Sequence, residues 1–167
     1  MRHIGVAKAL LAHGADVNYQ SELNQSPLES VMREYAIAQF EHRRNSTPVS
    51  PFILPTIRLL LKAGADSNSA FGGSFNEDYD RITIPYDDGY TPLTLAARHG
   101  WYDLAALLLR NRASVDKPRS DGASAYVIAL RHGHPKTAHL IASHLPVEPH
   151  SVEARSIQRF EGPQAEH

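Results

Sequence analysis

The 167-residue sequence contains no cysteine. No disulfide framework and no thiolate metal site can form in it, which fits an intracellular protein, cytoplasmic or nuclear. No stretch approaches the roughly 18 consecutive apolar residues of a spanning helix, so no membrane partner is expected. Lys8 and His13 interrupt the apolar run after Met1-Arg2-His3-Ile4, which argues against a secretory signal. The formal net charge is −1, so bulk electrostatics give no reason to expect direct contact with nucleic acid or anionic lipid. Catalytic frames are missing as well. No strand-turn-helix nucleophile elbow is present. Phe71-Gly72-Gly73-Ser74-Phe75 is glycine-rich but has neither a phosphate-loop lysine nor a G-x-G-x-x-G frame. Asn76-Glu77-Asp78-Tyr79-Asp80 lacks the alternating ligands and the bidentate glutamate of a calcium loop. What the chain does have is 42% hydrophobic content, enough to fill the core of one domain.

The apolar residues are organised by repetition. Gly89 and Gly122 are 33 residues apart, and so are Gly100 and Gly133. Leu104, Ala105, Leu107 and Leu108 follow Gly100; Thr137, Ala138, Leu140 and Ile141 hold the matching positions after Gly133. That spacing lines one face of a helix. The same run occurs upstream in VAKALLAHGADVN (6–18) and TIRLLLKAGADSN (56–68), each with a glycine just past the helix, where a positive φ is wanted. The unit is a turn, a short helix, a glycine-bounded turn, a longer helix and a loop. Thr91 is placed to cap the first helix, with Pro92 at its first position. Ala96 and Ala97 allow close packing. Asp103 falls in the first turn of the second helix, where it suits the dipole. Neither helix can bury its apolar face alone, so stacked neighbours must make the core.

These residues resemble the ankyrin repeat family. Thr91-Pro92-Leu93, Ala96-Ala97, Gly100, Leu107-Leu108 and the Gly-Ala-Asp-x-Asn tails at 14–18 and 64–68 carry the likeness, over roughly residues 4–145. It implies an all-α helical solenoid of helix-turn-helix pairs, about three and a half repeats, acting as a non-catalytic protein-binding scaffold with no cofactor and no metal. The expected partner is a protein of unknown identity, and the chain is expected to be monomeric. The alternative is a regulatory fragment of a larger ankyrin-containing protein, such as a transcriptional co-regulator or an enzyme's targeting domain.

The register divides the chain. Residues 1–19 hold only the second helix of a first repeat, as though the array were cut short or its open end covered by a partner. Residues 20–68 form the second repeat, with about 17 extra residues near 38–55, between its two helices. Residues 69–87 form an inserted finger loop with about 15 extra residues. The alternating Arg81-Ile82-Thr83-Ile84-Pro85-Tyr86 permits a β-hairpin, with Pro85 on an edge. The third repeat is 88–118. The fourth, 119–145, is an atypical cap in which Ser124-Ala125-Tyr126 replaces Thr-Pro-Leu. A polar tail, 146–167, is expected to be partly disordered.

Ten histidines invite a metal site, but His132, His134, His139 and His144 do not follow the spacing of converging ligands. The functional expectation is a surface. By the resemblance, partners meet the fingertips and the exposed side of the first helices. In register those positions are Glu22, Leu23, Gln25, Arg33 and Glu34, then Asp87, Asp88, Tyr90, Arg98 and His99, then Ser120, Asp121, Ala123, Arg131 and His132. Arg33, Arg98 and Arg131 share one position in three successive repeats. Beside the acids Asp87, Asp88 and Asp121, this column reads as a recognition ladder or as solvated arginines paired locally. Tyr90 and Trp101 add aromatic candidates, Trp101 reading equally as a residue that covers the turn and packs on the neighbouring repeat.

Overall fold

The computed structural model describes residues 2–22, 25–46, 48–71, 89–118 and 122–145. Among the described residues seven helices follow one another: α1 (Arg2–Ala12), α2 (Pro27–Asn45), α3 (Ile53–Lys62), α4 (Pro92–His99), α5 (Tyr102–Arg110), α6 (Ala125–Arg131) and α7 (Pro135–Ala142). Among the described residues there is no strand. The chain is an all-α solenoid. Hairpin pairs α2–α3, α4–α5 and α6–α7 stack so that α4 lies on α6, while α1, α3, α5 and α7 pack successively in the second layer. Leu60, Leu108 and Ile141, one from each second helix, share a single buried core with Met32, Leu93 and Ile128 of the first helices.

Local chemistry explains where the helices start. The Ser26 hydroxyl accepts from the Glu29 amide (3.2 Å) and Pro27 follows it. Thr91 and Thr94 form a reciprocal capping box, each hydroxyl accepting from the other's amide (3.3 and 2.8 Å). Ser124 repeats the cap on Val127 (3.4 Å).

The second helices α1, α3 and α5 end alike. Ala15, Ala65 and Ala113 donate their amides to Leu10, Leu60 and Leu108 at 3.0, 3.0 and 3.1 Å. The residue before each alanine lies in the left-handed region: Gly14, Gly64, and Arg112 with φ 64°. Arginine at that position retains the turn against the steric preference for glycine. The tails then tie repeats together. Asn18 donates to the Gly64 carbonyl (3.0 Å) and accepts from the Asp66 amide (2.9 Å). Asn68 accepts from the Ser114 amide (2.7 Å), and Lys117 donates to the Asn68 carbonyl (2.7 Å). The Gly-Ala-Asp-x-Asn phrase is thus both a helix stop and a rivet between neighbours.

The first insertion corrects the expectation of an interhelical loop. Much of it prolongs α2 to 19 residues, against eight in α4. Residues 36–45 contain no glycine or proline to stop the helix. Asn45 donates to the Glu41 carboxylate one turn earlier (2.8 Å), and His42, Arg43 and Arg44 occupy the last turn, where positive charge suits the dipole. Ser46, in the left-handed region, ends it. The hairpin expected within 69–87 falls on 72–88, outside the described residues. The Phe71 amide donates to the Tyr90 carbonyl (2.9 Å), so the two ends of that insertion meet.

Candidate functional site

The first-helix face carries the candidate residues in three different settings. Arg33, half-buried on α2, lies 3.6 Å from the Glu29 carboxylate one turn away. Its guanidinium also reaches the side-chain oxygen of Gln25 at 3.2 and 3.3 Å in the amide orientation that satisfies both groups. Arg98, half-buried at the end of α4, donates from Nη1 to the Tyr90 hydroxyl, its guanidinium carbon 5.5 Å from the Tyr90 ring centre. Arg131, at the end of α6, is exposed, as is His132. One register position therefore yields two anchored arginines and one exposed one. Asp87, Asp88 and Asp121, with Leu23 and Ser120, lie outside the described residues.

Two expectations of exposure, those of Tyr90 and Ala123, are corrected. Tyr90 is 2% exposed. It directly precedes the capping Thr91, as Ala123 precedes Ser124, and Ala123 is buried too. That position points into the stack, and in Tyr90 only the hydroxyl serves the surface, by holding Arg98. For Trp101 the packing reading of the two holds: it is 6% exposed. It follows Gly100 as His134 follows Gly133, and it covers the turn against the preceding repeat. Its ring meets Tyr35 of α2 edge-on (5.2 Å, 84°) and stacks on His99 (4.6 Å, 18°). Burial pushes the Tyr35 hydroxyl above its ordinary value, opposed by a hydrogen bond with Gln39.

The end of α4 is fixed from both sides. His134 Nε2 lies 3.1 Å from the Arg98 carbonyl; a carbonyl only accepts, so Nε2 carries the proton. From the other side Arg43 Nη2 donates to the His99 carbonyl (3.1 Å). Arg43 sits on the prolonged part of α2, and no repeat register reaches it. The unbroken helix-forming run after Ala36 is the signal that would have found it. Around His99 this arrangement gathers Arg98, Arg43, His132 and His134.

Burial first, and those positive neighbours second, lower the His99 pKa from 6.5 to about 4. Its Nε2 is buried without a hydrogen-bond partner among the described residues. A histidine that resists protonation in the folded state adds stability above the unfolded pKa of about 6.5. That contribution shrinks as pH falls from about 6.5 to about 4, and is gone below. Discounted for the ring's partial exposure, it amounts to about 1–2 kcal/mol. Urea midpoints of the wild type should therefore fall over this window, and His99→Gln should flatten the fall. Parallel profiles for the two proteins would contradict the assignment.

Among the described residues, no group of three His, Asp or Glu side chains could hold a metal ion. His134 is committed to the Arg98 carbonyl, and His144 Nδ1 lies 3.0 Å from the Leu140 carbonyl. No described helix is long and apolar enough to cross a membrane. No curated protein matches the chain. A family model described as ankyrin repeats (3 copies) matches residues 53–152, from the start of α3 onward. The match covers more than half of the sequence and coincides with the capped, stacked helix pairs seen here, whose family serves as a non-catalytic scaffold for protein–protein interaction. The chain belongs to the ankyrin repeat family.

Proposed function

We propose that the protein is a non-catalytic binding module, intracellular and monomeric, whose first-helix face receives an acidic or charge-patterned protein partner. The observation that carries this reading is the placement of Arg43 and Arg98 at the end of α4, with Arg131 and His132 exposed at the end of α6, the helix that packs on α4. The backbone beneath it is held by His134 and by Arg43 itself. Rigid display lowers the ordering cost at binding, and clustered charge of one sign steers and selects partners. By register alone, Asp87, Asp88 and Asp121 are proposed as an acidic fingertip rim to the same surface.

Arg131→Glu is the decisive variant, because Arg131 is exposed, whereas Arg98→Glu would also release Tyr90. A partner captured by the intact chain should bind the variant roughly tenfold more weakly or worse, with an unchanged melting temperature. Undiminished binding would retire this face.

A second reading makes these repeats the regulatory part of a larger ankyrin-containing protein. Leu10 supports it: it shares the register position of Leu60, Leu108 and Ile141, all buried, yet is 56% exposed.

A further inference from the structure

The opposite layer of the solenoid carries a second feature that the first-helix face does not use. A groove of about 380 Å³ runs across α3, α5 and α7. Its apolar lining includes Leu54 from α3 and Leu140 from α7, with Tyr102 of α5 48% exposed beside them. The volume falls at the low end of the roughly 300–1,000 Å³ typical of ligand-sized pockets. Because the lining comes from three stacked helices, the groove exists only when the repeats are assembled.

Its polar lining holds two arginines, one aspartate and a histidine. Arg58 of α3 and Arg110 of α5 line it, both exposed, and neither is ion-paired among the described residues. Asp103 sits in the first turn of α5 and Arg110 in the last. Seven residues separate them, roughly 10 Å along the axis at about 1.5 Å per residue. An extended chain covers that span in about three residues. The carboxylate at one end disfavours a continuous phosphate backbone, and the apolar floor gives a bulky side chain somewhere to go. Each guanidinium presents its donors as a planar fork suited to a carboxylate.

We infer that this groove docks a short extended peptide segment of a partner protein, carrying acidic side chains next to a bulky apolar one. The apolar side chain lies against Leu54 and Tyr102 on adjacent helices, and the carboxylates meet Arg58 and Arg110. This site is separate from the Arg98–Arg131 face and does not depend on it.

The test is a peptide array of acidic-apolar octamers, each paired with a version in which lysine replaces the acids, probed with the full chain. Three proteins are compared: wild type, the Arg58→Glu/Arg110→Glu double variant and Arg131→Glu. Circular dichroism melts verify folding, with Arg58→Ala/Arg110→Ala as the substitute should the charge reversal unfold. The wild type and Arg131→Glu should bind acidic-apolar peptides over their lysine counterparts. The double variant should lose roughly tenfold or more in affinity. Overturning results are no preference by the wild type, equal binding by the double variant, or single-stranded DNA that competes and outbinds every peptide.

Discussion

Replacing Leu108 with alanine is expected to destabilise the protein by about 2–5 kcal/mol. Leu108 is fully buried in α5, the second helix flanked by α3 on one side and α7 on the other. Truncation removes methyl groups from the interior and leaves a cavity that helices held by caps and Asn rivets can only partly close. Leu10→Ala is the matched comparison. The register position is the same, but Leu10 is 56% exposed, and its truncation should change stability by no more than about 0.5 kcal/mol. Thermal or urea melts of the two variants decide the matter. Equal effects would mean that burial in the stack is not what the leucine contributes.

Gly100→Ala should cost about 2–4 kcal/mol, by two separate routes. Gly100 has φ 66°, and a β-carbon there would lie 2.6 Å from Cγ and 2.8 Å from Cε1 of His134, closer still to Nδ1. The ring must move, and the bond from Nε2 to the Arg98 carbonyl goes with it. Gly133→Ala separates the two costs. Its φ is 74°, but nothing lies within 4 Å of the new carbon, so only the backbone penalty of about 1–2 kcal/mol remains. A clear excess for Gly100→Ala over Gly133→Ala is the energetic signature of His134 seated across the repeat junction. Equal losses would show that this seat contributes nothing.

The register was legible in the sequence because it rests on residues with few substitutes. A glycine after a helix, a hydroxyl cap and a proline at the first helical position each meet a backbone requirement, and their recurrence at 33 residues is hard to produce otherwise. Arg112 shows the limit of that reasoning, since the turn persists where glycine is lost. The prolonged α2 was hidden for a related reason. Its added turns are specified by helix propensity and by one contact across the junction, neither of which repeats. Exposure is less legible in the sequence than register. Tyr90 and Ala123 occupy one position, and its burial follows from lying directly under the cap, a fact of packing geometry that neither residue's chemistry announces. Trp101 and His134 likewise share a position, and both cover a glycine turn against the previous repeat. One reaches its neighbour through a ring edge, the other through a nitrogen on a carbonyl. The proposed surface is consequently more basic and less aromatic than its sequence candidates, with Arg43 added and Tyr90 withdrawn into the core, while Trp101 takes the packing role that was one of its two readings.

The central claim is that helices unable to stand alone become a stiff platform by stacking, and that the end of α4 is its most firmly held part. Amide hydrogen exchange of the free chain tests this most directly. Helices α4 and α5, with stacked neighbours, should show the slowest exchange, and α1 and the end of α7 the fastest. Exchange in α4 near the rate of an unstructured chain, with α5 still protected, would mean that the surface bearing Arg98 is not rigidly displayed, and would contradict the account.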